Sequence, residues 1–463
     1  MALNFKSTNY DEKSFLTRLD SKYYYLHDLL SDFATNNSED VIPFGDIIGK
    51  ITDGEHAGQT FVEKGVLFLK NSSIKDFDIS KNDGFYISEE KHKLLSRSAL
   101  KAEDILFTTI GHLGSAAIVP KDFGEANMNQ NFVKITLKEN TISPYYVVCF
   151  LNSKIARRQV NSLLTGNIQS IMTYPKIKSL KIIRPKNRNQ EIEIENKYKK
   201  ALEYDKNAHD IISRVTDDIR NKIAFNNIST IKQYSIDNAD ICDNLSLWTP
   251  KFFFPKYVTT EKFLVDNFNT TELGKICSFK KGNEPGSDFY IDYLDKDDTD
   301  VPFIRTSDIY NFQIDLVPDY FIDIHTYESL SQNVVANDIL YTKDGKIGEL
   351  AMVTESDRAI FGSGVERIRL NKEGTKLGIT PEYLFVMLKL DEIGRYNADR
   401  YSVTASTIPH MREDFIGKIV IPILDSEVIN DVTAKIKEAF KMIDMKKQLL
   451  KECQDLINSI IKI

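Results

Sequence analysis

The apolar positions of this chain change period several times, and each period recurs further along. DILFTT (104–109) and DILYTK (338–343) alternate as short strands do, as do FVKITL (132–137) and VERIRL (365–370), with glycine-containing turns between them. PYYVVCFLNSKIARRQV (144–160) and PEYLFVMLKLDEIGRY (381–396) carry a helical period, each opened by Ser or Thr ahead of a Pro at the first helical position. From Val428 to the end, Ile429, Ile436, Ile443, Leu450 and Ile457 recur every seven residues, with Val432, Ala439, Lys446, Cys453 and Ile460 three positions after each. That is a coiled-coil heptad. A poorer stripe of Ile194, Tyr198, Ala201, Ala208, Ile212, Val215 and Ile219 is interrupted at Asp205 and Lys222. Neither stripe can be buried alone, so the two helices are expected to pack on each other, antiparallel; the alternative is that each caps its own domain.

The order of these segments is itself duplicated. VLFLKNSSI (66–74) aligns with VPFIRTSDI (301–309), and EDILFTTIGHLGSAAIV (103–119) with NDILYTKDGKIGELAMV (337–353), placing Gly111 on Gly345 and Gly114 on Gly348. PYYVVCFL (144–151) follows on PEYLFVML (381–388), and TGNIQSIM (165–172) on TASTIPHM (404–411). Ordered blocks at a nearly constant offset mark an internal repeat. Each copy ends in a polar loop that runs into an apolar strand and a proline: in LTGNIQSIMTYPKIKSLKIIRP (164–185), Ile177, Leu180, Ile182 and Ile183 are spaced for a strand that Pro185 stops. The expected fold is α+β, with strand-rich domains at 1–187 and 233–424 and long helices at 188–232 and 425–463.

Composition changes this picture little. A chain of 463 residues, 42% hydrophobic and 27% charged, is that of an ordinary globular protein with two or three cores. No apolar run reaches the length of a membrane span, and the N-terminus lacks a signal peptide's apolar core, so no membrane association and a cytoplasmic location are expected. Cys149, Cys242, Cys277 and Cys453 are too scattered for a disulfide framework or a zinc site. Charge is uneven: residues 1–187 hold 24 Lys+Arg against 21 Asp+Glu, and residues 233–424 hold 20 against 31. A nucleic-acid contact in the second half therefore needs a local basic patch facing away from YIDYLDKDDTD (290–300).

Catalytic chemistry is not announced. There is no Walker A loop, no dinucleotide or adenosyl glycine loop and no Asn-Pro-Pro-Tyr or Asp-Pro-Pro-Tyr motif, and the seven histidines show no metal-binding spacing. FGSGVE (361–366) reads as a hairpin between two strands. No catalytic residue, metal or cofactor is expected.

Two strand-rich copies, each with a Gly-x-x-Gly-x-x-x-x-Val block and a Thr-Gly-x-x-Gln loop or its relative, each followed by a helix, resemble the specificity subunit of type I restriction-modification enzymes. The resemblance covers nearly the whole chain. The block's leading glycine is replaced by Glu103 and Asn337, and the second loop has Thr404, Ala405 and Ile408 where the first keeps Thr165, Gly166 and Gln169. The resemblance implies a non-catalytic protein with a target recognition domain for each half of a bipartite double-stranded DNA site. Its helices would act as spacer and as platform for two methyltransferase subunits, with restriction/translocase subunits joining outside.

Base reading needs amides, hydroxyls and cations on exposed loops. The paired loops offer Lys50, Thr52, His56, Lys70, Asn71, Ser72, His112, Thr165, Asn167, Gln169 and Ser170 in the first copy. The second offers Lys280, Lys281, Arg305, Thr306, Ser307, Lys343, Lys346, Thr404, Ser406, Thr407 and His410. Each taken singly is equally well read as a solvated loop residue. Two other functions compete: the recognition subunit of another methylation-based defence system, and a scaffold that binds proteins and not DNA.

Overall fold

The computed structural model describes residues 40–56, 58–81, 84–164, 171–225, 228, 235, 249–405 and 408–461. The chain divides into two compact units, residues 1–202 with 449–463, and residues 203–448.

In the first unit, strand β1 (Asp40–Pro43) pairs antiparallel with β9 (Lys181–Arg184). The main sheet has the order β2 (Ile48–Asp53), β8 (Phe132–Leu137), β5 (Ile105–Thr108), β6 (Ala116–Ile118), all antiparallel. A second sheet sets β3 (Val66–Leu69) between antiparallel β4 (Phe85–Ile87) and parallel β7 (Ala126–Met128). All four residues of β3 and of β5 are buried, as the continuous apolar runs VLFL and ILFT require.

The second unit repeats this topology. Strand β10 (Asn269–Glu272) pairs with β23 (Val420–Ile423), and the main sheet runs β11 (Cys277–Lys281), β20 (Val365–Leu370), β17 (Ile339–Thr342), β18 (Leu350–Met352). Its second sheet runs β12 (Ile291–Asp292), β16 (Tyr320–Ile322), β13 (Val301–Ile304), β19 (Ile360–Phe361), again with the last pair parallel. The cores match by position: Leu106, Ala117 and Val119 in the first unit, and Leu340, Ala351 and Val353 in the second. The duplicated α+β reading is therefore shown.

Helix α1 (Pro144–Leu151) ends where Asn152, fully buried, exchanges two hydrogen bonds with the backbone of Ala116. The chain restarts as α2 (Lys154–Leu163), so the single helix expected over 144–160 is two. Helix α4 (Pro381–Lys389) is capped by Thr380, whose Oγ1 accepts from Tyr383 N, and gives way to a π-helical turn at Asp391–Arg395. FGSGVE is not a hairpin: β19 and β20 lie in different sheets, and the turn between them carries the chain across. Ile177 sits on a helical turn over Tyr174–Ser179, not on the strand, which begins at Lys181.

Both long stripes form helices of 36 residues, α3 (Arg188–Ile223) and α5 (Ser426–Ile461). In the first unit Lys197 Nζ meets Glu452 Oε2 at 2.6 Å and the Cys453 thiol reaches Ile194 O. In the second, Ala208, Ile212, Val215 and Ile219 share one core with Ile429, Val432, Ile436, Ala439 and Ile443. There Asp205 accepts from the buried Lys446 ammonium at 2.7 Å, so the interruption in one stripe answers the polar heptad position in the other. The partner number falls along α5 as it rises along α3, as an antiparallel pair requires.

The two residues that lead the repeated block share a backbone conformation that favours glycine. Glu103 (φ 65°) and Asn337 (φ 71°) are left-handed, and the N–H groups of both bond across the open ends of the β5–β6 and β17–β18 hairpins, to Val119 O and Val353 O. Asn337 is exposed, so only its backbone matters. Asn337→Ala should destabilise the protein by about 1 kcal/mol, and Asn337→Gly should be neutral or stabilising, in denaturant melts of the two variants.

Candidate nucleic-acid interface

One edge of each unit is assembled from loops that are distant in sequence, and the same hydrogen bonds assemble both. The Thr108 hydroxyl, fully buried at the end of β5, donates to His112 O and accepts from Ser115 N at 2.9 Å. Thr342 does the same with Lys346 O and Glu349 N. The tight turn they close needs left-handed residues at Gly111, Gly114, Gly345 and Gly348, where φ lies between 68° and 92°. Thr109 N donates to Asn131 O and Met172 N to Thr109 O; in the second unit Lys343 N donates to Gly364 O and Met411 N to Lys343 O. These bonds bring the segment after each polar loop onto the glycine turn. Gly54 and Gly282 allow a further approach, since a Cβ there would stand 2.2 Å from Asn129 O or 2.1 Å from Gly362 O.

Arginines missing from the expected set pin these turns from behind. Arg157, buried on α2, donates to Leu113 O, Ser115 Oγ and Asp76. Arg395 donates to Ile347 O at 3.4 Å. The signal was present as Ile155-Ala156-Arg157 against Ile393-Gly394-Arg395.

The turns at 70–73 and 305–308 complete each edge. Lys70 N donates to Ser73 Oγ at 3.1 Å, and Arg305 N to Asp308 Oδ2 at 2.8 Å. Asn71 lies against Gly111, and Thr306 against Gly364. Ser72, Ser307 and His112 are exposed. Arg305 is engaged by Asp308 and Asp319 through Nε and Nη2, which leaves Nη1 as the guanidinium nitrogen without a hydrogen bond among the described residues. A bidentate base contact through the Nε and Nη2 side of Arg305 would require it to release a carboxylate.

Other expected residues are placed differently. Lys50, Thr52, Lys280 and Lys281 stand on strands β2 and β11, not on loops. Thr52 is a correction: it is buried at 4% exposure, paired in register with the buried Lys134 of β8. Lys343 is another, 5% exposed and held between Glu366 (3.4 Å) and Glu413 (2.7 Å). Lys50 and Lys281 are exposed, and Lys280 donates to Ser331 O. Lys346 meets Glu349 at 3.1 Å. Thr404 and His410 lie on a hairpin of β21 (Val403–Ala405) and β22 (Ile408–His410), both exposed, with His410 Nδ1 2.8 Å from Asp344 Oδ1. Thr165, Asn167, Gln169, Ser170, Ser406 and Thr407 lie outside the described residues.

The two edges differ in charge at matching positions. In the first, Asp53 gathers His56 Nε2, Arg97 Nη1 and, through its backbone N–H, the Tyr174 hydroxyl, each at 2.7 Å. Partial burial opposes ionisation of its carboxyl, but the bonds from His56 and Arg97 outweigh it and hold the pKa below the ordinary value. Lys281 occupies the position of Asp53 in the second sheet and pairs across to Glu366 in register, as Asp53 pairs with Val133. Burial pushes the Glu366 carboxyl up to about 7, with Glu413 adding to the rise and Lys343 opposing it.

The sequence pattern of the type I restriction modification DNA specificity domain matches residues 48–224 and 265–454. No curated protein matches the chain. Among solved structures, the S subunit of a type I restriction-modification system from M. genitalium is similar at 13% identity over 92% of this chain and 96% of that one, with a TM-score of 0.34. The HsdS subunit from Thermoanaerobacter tengcongensis is similar at 14% identity over 92% and 97%, with a TM-score of 0.29. The type IIG restriction endonuclease BpuSI is similar at 11% over 77% of this chain and 44% of its own, with a TM-score of 0.30.

The raised Glu366 pKa sets a pH dependence. Between its ordinary value of 4.5 and about 7, the folded protein keeps a proton that the unfolded chain releases, so stability from this group is full below that window and lost as pH rises through it. Glu366→Gln, neutral throughout, should raise the melting temperature relative to the parent near pH 8 and change it little near pH 5.

Proposed function

The chain belongs to the type I restriction modification DNA specificity family, and from that premise we propose that it reads a bipartite double-stranded DNA target, one half-site for each strand-rich unit. In this reading it carries no methyl-transfer or cleavage chemistry of its own. It positions methyltransferase subunits, and restriction/translocase subunits with them, on the DNA it has selected, its long helices forming the platform and the spacer.

The observation that carries this reading is one loop framework bearing different side chains. The main-chain bonds at Thr109 and Lys343, at Met172 and Met411, and at Ser115 and Glu349 are equivalent, while the groups presented there are not. His112 faces Lys346 by position, Asn71 faces Thr306, and Asp53 faces Lys281. Two copies of one device that differ only in what they display suit two different half-sites, since base edges are told apart by the donors and acceptors set against them. A protein-binding scaffold is disfavoured by the exposed cations at these edges, Lys50 in the first unit and Lys281 in the second, which suit phosphate contact.

Replacing residues 1–187 by the first domain of another family member should alter one half of the methylated motif and leave the other half unchanged, as read by mapping methylated bases in cells that express the chain with its methyltransferase partner. A change in both halves would contradict independent reading. The purified chain alone should transfer no methyl group to DNA, measured with labelled methyl donor.

Inserting one heptad after Ala208 keeps the apolar stripe and lengthens α3 by about 10 Å. The same motif map should then show a wider gap between unchanged half-sites.

A further inference from the structure

Beside each candidate edge stands a small stack of rings, resting on a buried strand phenylalanine, Phe68 or Phe303. In the first unit Phe68 on β3 pairs in register with Phe85 on β4, and Phe61 stacks on Phe85 with centroids 4.3 Å apart and an interplanar angle of 24°. The Lys70 ammonium lies 4.0 Å from the Phe85 centroid. Phe61 and Phe85 are 43% and 40% exposed, so burial does not explain two phenylalanines here.

The second unit repeats the arrangement with other residues. Phe303 on β13 pairs in register with Tyr320 on β16, Tyr290 stacks on both at 4.9 Å, and the Arg305 guanidinium lies 4.8 Å from the Tyr320 centroid. Lys70 and Arg305 each follow the paired strand phenylalanine by two residues. The Tyr290 hydroxyl donates to Glu284, which accepts from Ser363 N, and so ties this stack to the turn beside Gly364.

A cation of either kind over a ring of either kind, at the same point of the same sheet, is conserved geometry within one chain. Long basic side chains are otherwise mobile, and their freedom is lost when they bind. A ring beneath the cation removes part of that freedom beforehand and keeps the charge unhydrated on one side.

We infer that the stacks Phe61–Phe85 and Tyr290–Tyr320 are positioning elements that aim Lys70 and Arg305 at one base pair in each half-site, toward the acceptor edge of guanine. This rests on the proposed DNA-reading function. Guanine O6 and N7 are the acceptors that Lys and Arg recognise in the major groove. Arg305, with Nε and Nη2 bonded to Asp308 and Asp319, presents Nη1 from above its ring, and Lys70 presents its ammonium from above Phe85. The two positions therefore make matched contacts.

The test uses the full chain in complex with its methyltransferase partner and compares methylation of the mapped target with targets altered one base pair at a time. Phe85→Leu removes the ring and keeps the charge. It should reduce discrimination at one base pair of the first half-site by roughly tenfold or more and leave the second half-site untouched. Tyr320→Leu should do the converse, while Phe85→Tyr and Tyr320→Phe, which keep the rings, should retain the parent preference. Lys70→Met, which leaves the stack in place, should relax the same base pair as Phe85→Leu. A parent preference in Phe85→Leu and Tyr320→Leu would overturn the inference, as would equal loss at every base pair of both half-sites. Should Phe85→Leu fail to fold, a parent motif in Lys70→Met would overturn it. A parent complex that methylates no bipartite motif would instead overturn the DNA-reading function, and this inference with it.

Discussion

A single buried hydroxyl in each unit, Thr108 and Thr342, holds the turn on which the candidate edge is built. Each closes its loop from both sides, donating to one carbonyl and accepting from one N–H, and valine, of the same shape, could do neither. Once the turn is closed, the next residue's N–H and C=O face two other segments and draw them in. The left-handed glycines and the arginines behind the turn serve that closure. The strands supply the stiffness, but the hydroxyl decides where the loops meet.

Upon this common frame the units place unlike electrostatics. The first carries an ionised carboxylate surrounded by donors at Asp53, and the second a buried Lys343 between two carboxylates. A lysine enclosed in this way cannot reach a ligand, and its charge acts instead to keep Glu366 and Glu413 near one another. The acidic excess of the second half thus coexists with local cations: Lys281 is exposed, while Arg305, although engaged by carboxylates, stays over its ring. Net charge over a domain says little about such an edge.

The duplication, the heptad stripes and the central strands β5, β8, β17 and β20 of the main sheets were legible in the sequence because each follows from period and from residues with few substitutes. All ten heptad positions from Ile429 to Ile460 are buried, Lys446 among them. Its partner Asp205 was legible only as an interruption, since an ion pair between residues 241 apart leaves no local pattern. Thr52 and Lys343 were misplaced for a related reason: polarity suggested exposure, whereas the neighbouring strand with Lys134 covered one and distant glutamates enclosed the other. Asn152 broke a helix that composition favoured, because its amide finds both partners on a neighbouring strand.

A loop held by main-chain bonds makes almost no demand on the side chains it displays. His112, Ser72, Ser307 and Thr404 are exposed at such loops or hairpins, and substitutions there leave the hydroxyl clamp and its hydrogen bonds in place. New specificities can then arise by single substitutions that cost the fold little, so these units can diverge quickly in what they recognise while their architecture stays fixed.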